Sequence, residues 1–243
     1  MILCIDAGNS RIKWRFMASG ESLAEGVQLT AEVLKAGVLE LPKLDAPAEV
    51  RLSCVAGEEV IALLQKQVKK EFAVPLKKAQ VMNNTSGIIC AYEEPESLGV
   101  DRWLAILSAS QQFNGGLMVV DAGSAITIDL LAPDSQHLGG YILPGLRLMH
   151  DALWQNTSEV RVLGNGNETL WLPGKNTQQA VNRGCLLAAV ATIERLASEF
   201  PVRIVLTGGD AKILEQAISL QTDFLPNLVL DGLLSNDIGF TNL

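Results

Sequence analysis

Histidine is scarce in this 243-residue sequence, which contains only His137 and His150. The four cysteines, at positions 4, 54, 90 and 185, include no pair with the spacing of a zinc site or a redox motif. We therefore expect neither a cysteine–histidine zinc site nor a histidine-based catalytic triad. Cysteines without such spacing are more often buried and idle, so we expect unpaired thiols in a reducing compartment.

Positive charge is also in short supply. Lys and Arg number 19 against 27 Asp and Glu, which gives a net charge of -8 and a pI of about 4.8. A surface of this sign repels polyanions, so we expect no nucleic-acid partner. A local basic pocket could still bind a small phosphate compound.

Long apolar runs are missing, because every run is interrupted well before the roughly 20 residues that a membrane-spanning helix needs. The segment Met-Ile-Leu-Cys-Ile-Asp at the start has no basic residues before an apolar core, so we expect no signal peptide. With 48% hydrophobic and 19% charged residues, the composition predicts a globular, cytoplasmic protein without membrane association. The length allows two domains and a sizeable core.

Two common nucleotide-binding signatures are absent as well. The sequence has no Gly-x-x-x-x-Gly-Lys-Ser/Thr P-loop, and no Gly-x-Gly-x-x-Gly follows the first predicted strand. What it has instead is Asp-Ala-Gly twice, each time directly after a short apolar run. The two segments are LCIDAGNSRIKWR at 3–15 and MVVDAGSAITIDLL at 118–131.

The order of apolar runs predicts strands interleaved with helices, which is typical of an α/β fold. Each half opens with a strand, a glycine turn and a returning strand, which indicates two related α/β domains facing each other across a cleft. The segment SQQFNGG at 110–116 is the best boundary, so we expect domains at 1–115 and 116–243. Strands are predicted at 2–5, 12–17, 50–55, 117–121, 125–131, 137–143 and 202–206, and helices at 58–71, 100–113, 176–200 and 211–220.

The first glycine turn contains the groups that a phosphate cradle requires. Gly8 lets the backbone approach closely, Asn9 and Ser10 can donate hydrogen bonds, and Lys13 supplies positive charge. A plain β-hairpin with turn-forming residues is the alternative interpretation, and for one copy alone it is the better one.

The second turn repeats the pattern with Gly123 and Ser124. Two copies, each after an apolar strand, favour the phosphate cradle over the plain hairpin. The carboxylates of Asp6 and Asp121 cannot hold phosphate directly, but they can hold a cation or its water shell.

Two further segments are open to a structural and a functional interpretation. In LTGGDAKIL (206–214), Asp210 as a helix N-cap explains much of the pattern, although a glycine pair also lets a flat ring such as adenine approach the backbone. In LGVDRW (98–103), Asp101 is either a helix cap or the acceptor of a hydroxyl proton during phosphoryl transfer. The residues alone leave both alternatives open.

Six motifs together resemble those of type III pantothenate kinases, and they occur in the same order. They are DAGNSRIKW, YEEPESLGVDR, DAGSAITID, GGYILPG, NTQQAVNRG and TGGD, and the resemblance extends from Asp6 to NLVLDGL at 227–233. It implies the fold of the acetate and sugar kinase, heat-shock ATPase and actin superfamily: two duplicated ribonuclease H-like domains with a nucleotide cleft between them. The implied reaction is phosphorylation of the primary hydroxyl of pantothenate by ATP, the first step of coenzyme A biosynthesis.

The resemblance also implies roles for residues and bound ions. Asp101 matches the proton acceptor, and Asp121 matches the ligand of a monovalent cation, K⁺ or NH₄⁺, with Mg²⁺ arriving on ATP. The family usually forms a homodimer, with the substrate pocket near the subunit interface. The implied ATP contacts are Asp6, Ala7, Gly8, Asn9, Ser10, Arg11, Ile12, Lys13 and Ser124, and the implied pantothenate contacts are Tyr92, Gly99, Val100, Asp101, Arg102 and Thr177.

The sequence departs from the family pattern at three positions. Ser10 and Ser124 stand where threonine is common, and the hydroxyl group is kept, so we expect the contacts to survive. Glu94 stands where asparagine is common, which could alter the rim of the pocket. Two alternatives stay open: a non-catalytic, ATP-binding regulatory accessory factor, and a kinase for another small hydroxyl acceptor.

Overall fold

The computed structural model describes residues 1–154 and 172–243, which form two compact units. Unit 1 comprises Met1–Gln112 together with Leu228–Leu243, and unit 2 comprises Phe113–Asn227. The predicted division placed 116–243 in one domain, whereas the last residues of the chain pack within unit 1.

The two units contain 13 strands and seven α-helices within the described residues, each numbered in chain order. The strands are β1 (Ile2–Ala7), β2 (Arg11–Ala18), β3 (Glu21–Leu29), β4 (Glu49–Cys54), β5 (Leu76–Gln80), β6 (Asn84–Thr85), β7 (Ile88–Ile89), β8 (Leu117–Ala122), β9 (Ala125–Leu131), β10 (His137–Pro144), β11 (Arg203–Thr207), β12 (Thr222–Phe224) and β13 (Gly239–Asn242). The helices are α1 (Thr30–Ala36), α2 (Glu58–Phe72), α3 (Val100–Gln112), α4 (Leu146–Trp154), α5 (Thr177–Glu199), α6 (Ala211–Ala217) and α7 (Leu228–Gly232).

The same sheet topology occurs in both units. In unit 1 the strand order is β13-β5-β4-β1-β2-β3, and in unit 2 it is β10-β9-β8-β11-β12. In each unit the first three strands form an antiparallel meander, and two parallel strands continue the sheet beside the first strand. Strand β13 is an addition at the β5 edge of unit 1. The shared order confirms the two related α/β halves that the repeated Asp-Ala-Gly segments predict.

The central strands are apolar because helices and neighbouring strands bury them. Leu3, Cys4 and Ile5 of β1 are each 0% exposed, as expected for a strand that is covered on both faces. Helix α2 is amphipathic, with Val60, Ile61, Leu64 and Val68 buried on one side, as its spacing predicts. This packing fixes β1 and β4, and therefore the turn that follows β1.

Helix α3 is buried along most of its length, and this explains why the end of the chain returns to unit 1. Trp103 is 0% exposed, and the backbone of α7 lies so close to Leu104 of α3 that a Cβ atom at Gly232 would overlap it. Two buried arginines of the sheet also bind this segment: Arg51 Nη1 donates to the Leu233 carbonyl at 2.7 Å, and Arg15 Nη1 lies 2.6 Å from Asp231 Oδ1.

All four cysteines are buried and none forms a disulfide, which confirms the expectation of unpaired thiols. Burial raises the pKa of Cys4 to about 12 and also raises the pKa values of Cys54 and Cys185. Because the thiolate is the reactive form, these three thiols are inert at neutral pH. Within the two described ranges, none of the helices has the length and apolar character needed to cross a bilayer.

Candidate active site

The first glycine turn joins β1 to β2 and exposes the polar groups that the sequence singled out. Asp6 at the end of β1 pairs in register with Lys13 of β2, and both are half-buried. Asn9 and Ser10 at the tip of the turn are exposed, as is Arg11. The hairpin therefore presents backbone and side-chain donors beside a cation, which is the arrangement that a phosphate cradle needs.

Two buried hydroxyl groups, on β4 and at the start of α1, form hydrogen bonds that hold this turn in place. Ser53 of β4 is 0% exposed and donates through Oγ to Asp6 Oδ1 at 3.0 Å. Thr30, at the start of α1, donates through Oγ1 to the Gly8 carbonyl at 2.7 Å, and its N–H donates to the Ser10 carbonyl at 3.1 Å. No local sequence pattern reveals either residue, because their roles depend on strand register and on the return of the chain to the turn.

The second glycine turn, between β8 and β9, is shorter by one residue. Ala7 pairs with Ile12 across the first turn, whereas Ala122 pairs with Ile126 across the second. The half-buried Asp121 pairs with Thr127, at the place that Lys13 occupies in unit 1. The second turn therefore keeps the carboxylate and lacks the cation of the first.

Close backbone packing fixes the second turn. The N–H of Gly145, the residue after β10, donates to the Ser124 carbonyl at 3.1 Å. A Cβ atom at Gly145 would overlap the Gly123 and Ser124 carbonyl oxygens. Ser124 itself is exposed.

Gly208 and Asp210 of the TGGD segment also contact this turn. Gly208 has a φ of +94°, and a Cβ atom there would overlap Asp121 Oδ1 and the Ala122 carbonyl oxygen. The N–H of Asp210 donates to the Ala122 carbonyl at 2.9 Å. Asp210 occupies the N-cap position of α6, as the sequence predicts, but its side chain makes no capping hydrogen bond.

The Asp121 carboxylate lies near a backbone carbonyl oxygen. A carboxylate and backbone carbonyl oxygens are the ligands that hard cations take, and carbonyl oxygens also bind K⁺. Asp121 Oδ1 and the Ala122 carbonyl oxygen both lie against Gly208. In residues 1–154 and 172–243 no group of three His, Cys, Asp or Glu side chains could hold a metal ion.

Three of the predicted pantothenate contacts, Tyr92, Asp101 and Arg102, lie close together near the start of α3 in unit 1. Arg102 Nη1 donates to the Tyr92 hydroxyl at 3.1 Å, and its guanidinium carbon lies 5.9 Å from the centroid of that ring. Asp101 Oδ1 accepts from the Arg102 N–H at 2.8 Å. A Cβ atom at Gly99 would lie 2.6 Å from Asp101 Oδ1, so only glycine leaves room for this carboxylate position.

The remaining predicted residues differ in what they can offer. The side chains of Ala7, Ile12 and Val100 are buried in the core, so only their backbone groups can contact a ligand. Thr177 lies in unit 2, exposed at the first turn of α5, whose N-cap Asn176 accepts from the Gln179 N–H at 2.9 Å.

Two duplicated sheets, each with a glycine turn after its first strand, give this protein the fold of actin-like ATPases and sugar kinases. Solved structures share the fold: MreB 5 of Spiroplasma citri bound to AMPPNP (TM-score 0.50, 13% identity, 95% of this chain and 94% of that one) and a Baf family protein from Campylobacter jejuni (TM-score 0.64, 23% identity, 95% and 94%).

Among proteins of this fold, the chain belongs to the type III pantothenate kinase family. The model of that family matches residues 2–199. The type III pantothenate kinase of Chromohalobacter salexigens is 39% identical over 246 residues, covering 96% of this chain and 86% of the relative.

Proposed function

We propose that this protein transfers the γ-phosphoryl group of ATP to the primary hydroxyl of pantothenate, giving 4′-phosphopantothenate and ADP. The observation that carries the proposal is the group formed by Tyr92, Asp101 and Arg102 at the start of α3, in a family member that keeps both glycine turns. A non-catalytic nucleotide binder would need the turns and would have no need of this group.

The ATP phosphates are assigned to the two turns. The first turn supplies the N–H groups and hydroxyl of Asn9 and Ser10 and the charge of Lys13, and the second supplies the Ser124 hydroxyl. Ala7 and Ile12 contribute only backbone groups, because their side chains are buried. Mg²⁺ that arrives with ATP would neutralise phosphate charge.

Asp101 is assigned as the proton acceptor. In phosphoryl transfer the attacking oxygen forms a bond to the γ-phosphorus, the bond to the β–γ bridging oxygen breaks, and ADP leaves. The hydroxyl proton passes to a carboxylate oxygen of Asp101, which orients the nucleophile before the transfer. Hydrogen bonding of Oδ1 to the Arg102 N–H holds the carboxylate in one orientation for this task.

Pantothenate is assigned to Tyr92, Gly99, Val100, Asp101, Arg102 and Thr177. The Arg102 guanidinium is suited to the pantothenate carboxylate, because arginine pairs with carboxylates through charge-assisted hydrogen bonds. Its position is fixed by the Tyr92 hydroxyl. Val100 is limited to its backbone, and Thr177 offers an exposed hydroxyl from unit 2.

Three further proposals concern ions, assembly and location. Asp121 is assigned to a monovalent cation, K⁺ or NH₄⁺, which would lower the electrostatic cost of binding phosphates near this carboxylate. A homodimer is supported by β10, an edge strand with the exposed apolar side chains Leu138, Tyr141 and Ile142, since an exposed strand edge can pair with another chain. The protein is assigned to the cytoplasm, where pantothenate and ATP are both available.

Mass spectrometry of reaction mixtures tests the proposed acceptor. Incubation with ATP, Mg²⁺ and pantothenate is expected to yield pantothenate heavier by one phosphoryl group, whereas simple sugars stay unmodified. Phosphorylation of a different hydroxyl compound in preference to pantothenate would support the alternative kinase. A folded protein that binds ATP and phosphorylates none of these compounds would support the regulatory accessory factor.

A further inference from the structure

Thr30 joins the end of β3 to the first glycine turn through two hydrogen bonds. The residue is 4% exposed and opens helix α1. Its Oγ1 donates to the Gly8 carbonyl at 2.7 Å and its N–H donates to the Ser10 carbonyl at 3.1 Å. One buried residue therefore holds the turn on either side of Asn9, through its hydroxyl at Gly8 and through its backbone N–H at Ser10.

Comparison of the two units shows that one of these hydrogen bonds occurs in both units and the other only in unit 1. In unit 2, Gly145 follows the third strand as Thr30 does in unit 1, and its N–H donates to the Ser124 carbonyl at the same distance of 3.1 Å. Gly145 has no side chain to donate a second bond. The backbone bond is thus common to both units, whereas the Thr30 hydroxyl bond belongs to unit 1, whose turn is one residue longer.

The hydroxyl bond determines which way one peptide group points. Because a trans peptide is planar, its C=O and N–H point in opposite directions. The Gly8 carbonyl points toward Thr30. The N–H of Asn9, which belongs to the same peptide group, therefore points away from Thr30. An N–H group fixed in this direction requires no reorganisation when an anion binds.

We propose that Thr30 is a positioning residue for the ATP phosphates, acting through the Gly8–Asn9 peptide. The inference rests on the proposed function in one respect, namely that the first turn binds ATP. A purely structural role predicts a different outcome: losing the hydroxyl would then lower stability and leave nucleotide affinity unchanged.

Two substitutions at Thr30 separate these roles. Thr30→Val keeps the shape and removes the hydroxyl, whereas Thr30→Ser keeps the hydroxyl and removes a methyl group. Isothermal titration with AMPPNP and Mg²⁺ is expected to show affinity about 5- to 10-fold weaker for Thr30→Val, the effect of losing one hydrogen bond. Thr30→Ser is expected to stay within about twofold of the wild type, and in turnover the change should appear in the KM for ATP and not in the KM for pantothenate.

Gln67→Met is the matched control in the same unit. Gln67 is a buried residue of α2 that holds a different loop through two hydrogen bonds. Its amide accepts from the Leu39 N–H at 2.9 Å and donates to the Leu39 carbonyl at 2.8 Å. Removing these two hydrogen bonds is expected to lower the melting temperature without changing AMPPNP affinity. If Thr30→Val does not fold, Thr30→Ala replaces it, because alanine also lacks the hydroxyl and cannot overpack the site.

Each outcome decides the inference. Thr30→Val with wild-type AMPPNP affinity and a lower melting temperature would overturn it, as would equal weakening by Thr30→Ser. Because the titration needs no acceptor, a wild-type protein that binds AMPPNP but ignores pantothenate would contradict the proposed function and still test Thr30. A wild-type protein that binds no AMPPNP would overturn both.

Discussion

At the scale of single residues, the two carboxylates on which the proposed chemistry depends each lie against a glycine. A Cβ atom at Gly99 would approach Asp101 Oδ1, and a Cβ atom at Gly208 would overlap Asp121 Oδ1. Side chains at these two positions would displace the acids or their backbone. Both glycines occur in motifs that the sequence singled out, LGVDR and TGGD, but their spatial partners emerge only from the fold.

The role of Asp101 is tested by Asp101→Asn. Asp101 lies inside the first turn of α3 and not at its N-cap, and asparagine keeps the oxygen that accepts from the Arg102 N–H, so a purely structural Asp101 predicts nearly normal stability and turnover. A proton acceptor predicts a loss of about 10²- to 10⁴-fold in kcat, which corresponds to roughly 3–5 kcal/mol of activation barrier. We expect the large loss, together with a wild-type melting temperature and wild-type AMPPNP affinity.

The measurement is kcat beside a thermal melt and a nucleotide titration. A variant that keeps more than about a tenth of the wild-type kcat, far above the activity expected without the base, would show that Asp101 only supports the first turn of α3.

The role of Asp121 is tested through the salt dependence of the reaction. We expect turnover to rise strongly when Na⁺ is replaced by K⁺ or NH₄⁺ at constant ionic strength, because a bound cation lowers the repulsion between this carboxylate and the phosphates. Asp121→Ala should remove the K⁺ response. Equal rates in all three salts, or an unaltered K⁺ response in Asp121→Ala, would count against this cation site.

At the scale of elements, the sequence predicts the two glycine hairpins and the long helices well. Short-range patterns suffice there: apolar strands stand on either side of Gly8 and Gly123, and the buried side of α2 has helical spacing. Strand β3 was missed because it is a sheet edge with Leu23 and Val27 exposed, so it lacks the pattern of a buried strand.

Other elements escape prediction because distant segments form them. Strand β5, with the sequence LKKAQ, is short and charged, and it pairs with β4 and with β13 at the end of the chain. The contacts of Thr30, Ser53 and Gly145 with the turns likewise depend on register across the sheet. No local pattern in the sequence contains that information.

The turn between β8 and β9 provides a prediction at this scale. Gly145→Ala is expected to displace the Gly123–Ser124 backbone, because the new Cβ would overlap both carbonyl oxygens. Overpacking of this kind typically costs about 1–3 kcal/mol, and we expect a lower melting temperature together with a higher KM for ATP. Thermal melts and initial rates check both effects.

Gly184→Ala is the control within unit 2. A Cβ at Gly184 would have no neighbour within 4 Å in the described part of the chain, and alanine favours a helix over glycine by about 1 kcal/mol. This variant should melt at the wild-type temperature or slightly above it, with an unchanged KM. If Gly145→Ala behaved in the same way, close packing at the turn would not explain the glycine.

At the scale of the whole molecule, the duplication supplies two similar glycine turns that carry different side chains. Unit 1 carries Lys13 and the group formed by Tyr92, Asp101 and Arg102. Unit 2 carries Asp121 and the exposed Ser124. The repeated Asp-Ala-Gly segments reveal this duplication in the sequence. The return of Leu228–Leu243 to unit 1 does not follow from the repeat, because buried arginines on two strands and the β13–β5 pairing bring it about.

The central claim is that this protein is a kinase whose acceptor is pantothenate, and the most direct test is ADP release by the folded wild-type protein. Rates are measured with ATP, Mg²⁺ and K⁺, in the presence and absence of pantothenate. We expect ADP release that requires pantothenate, with one ADP formed for each phosphorylated pantothenate. ADP release at the same rate without pantothenate, or none with it, would contradict the claim.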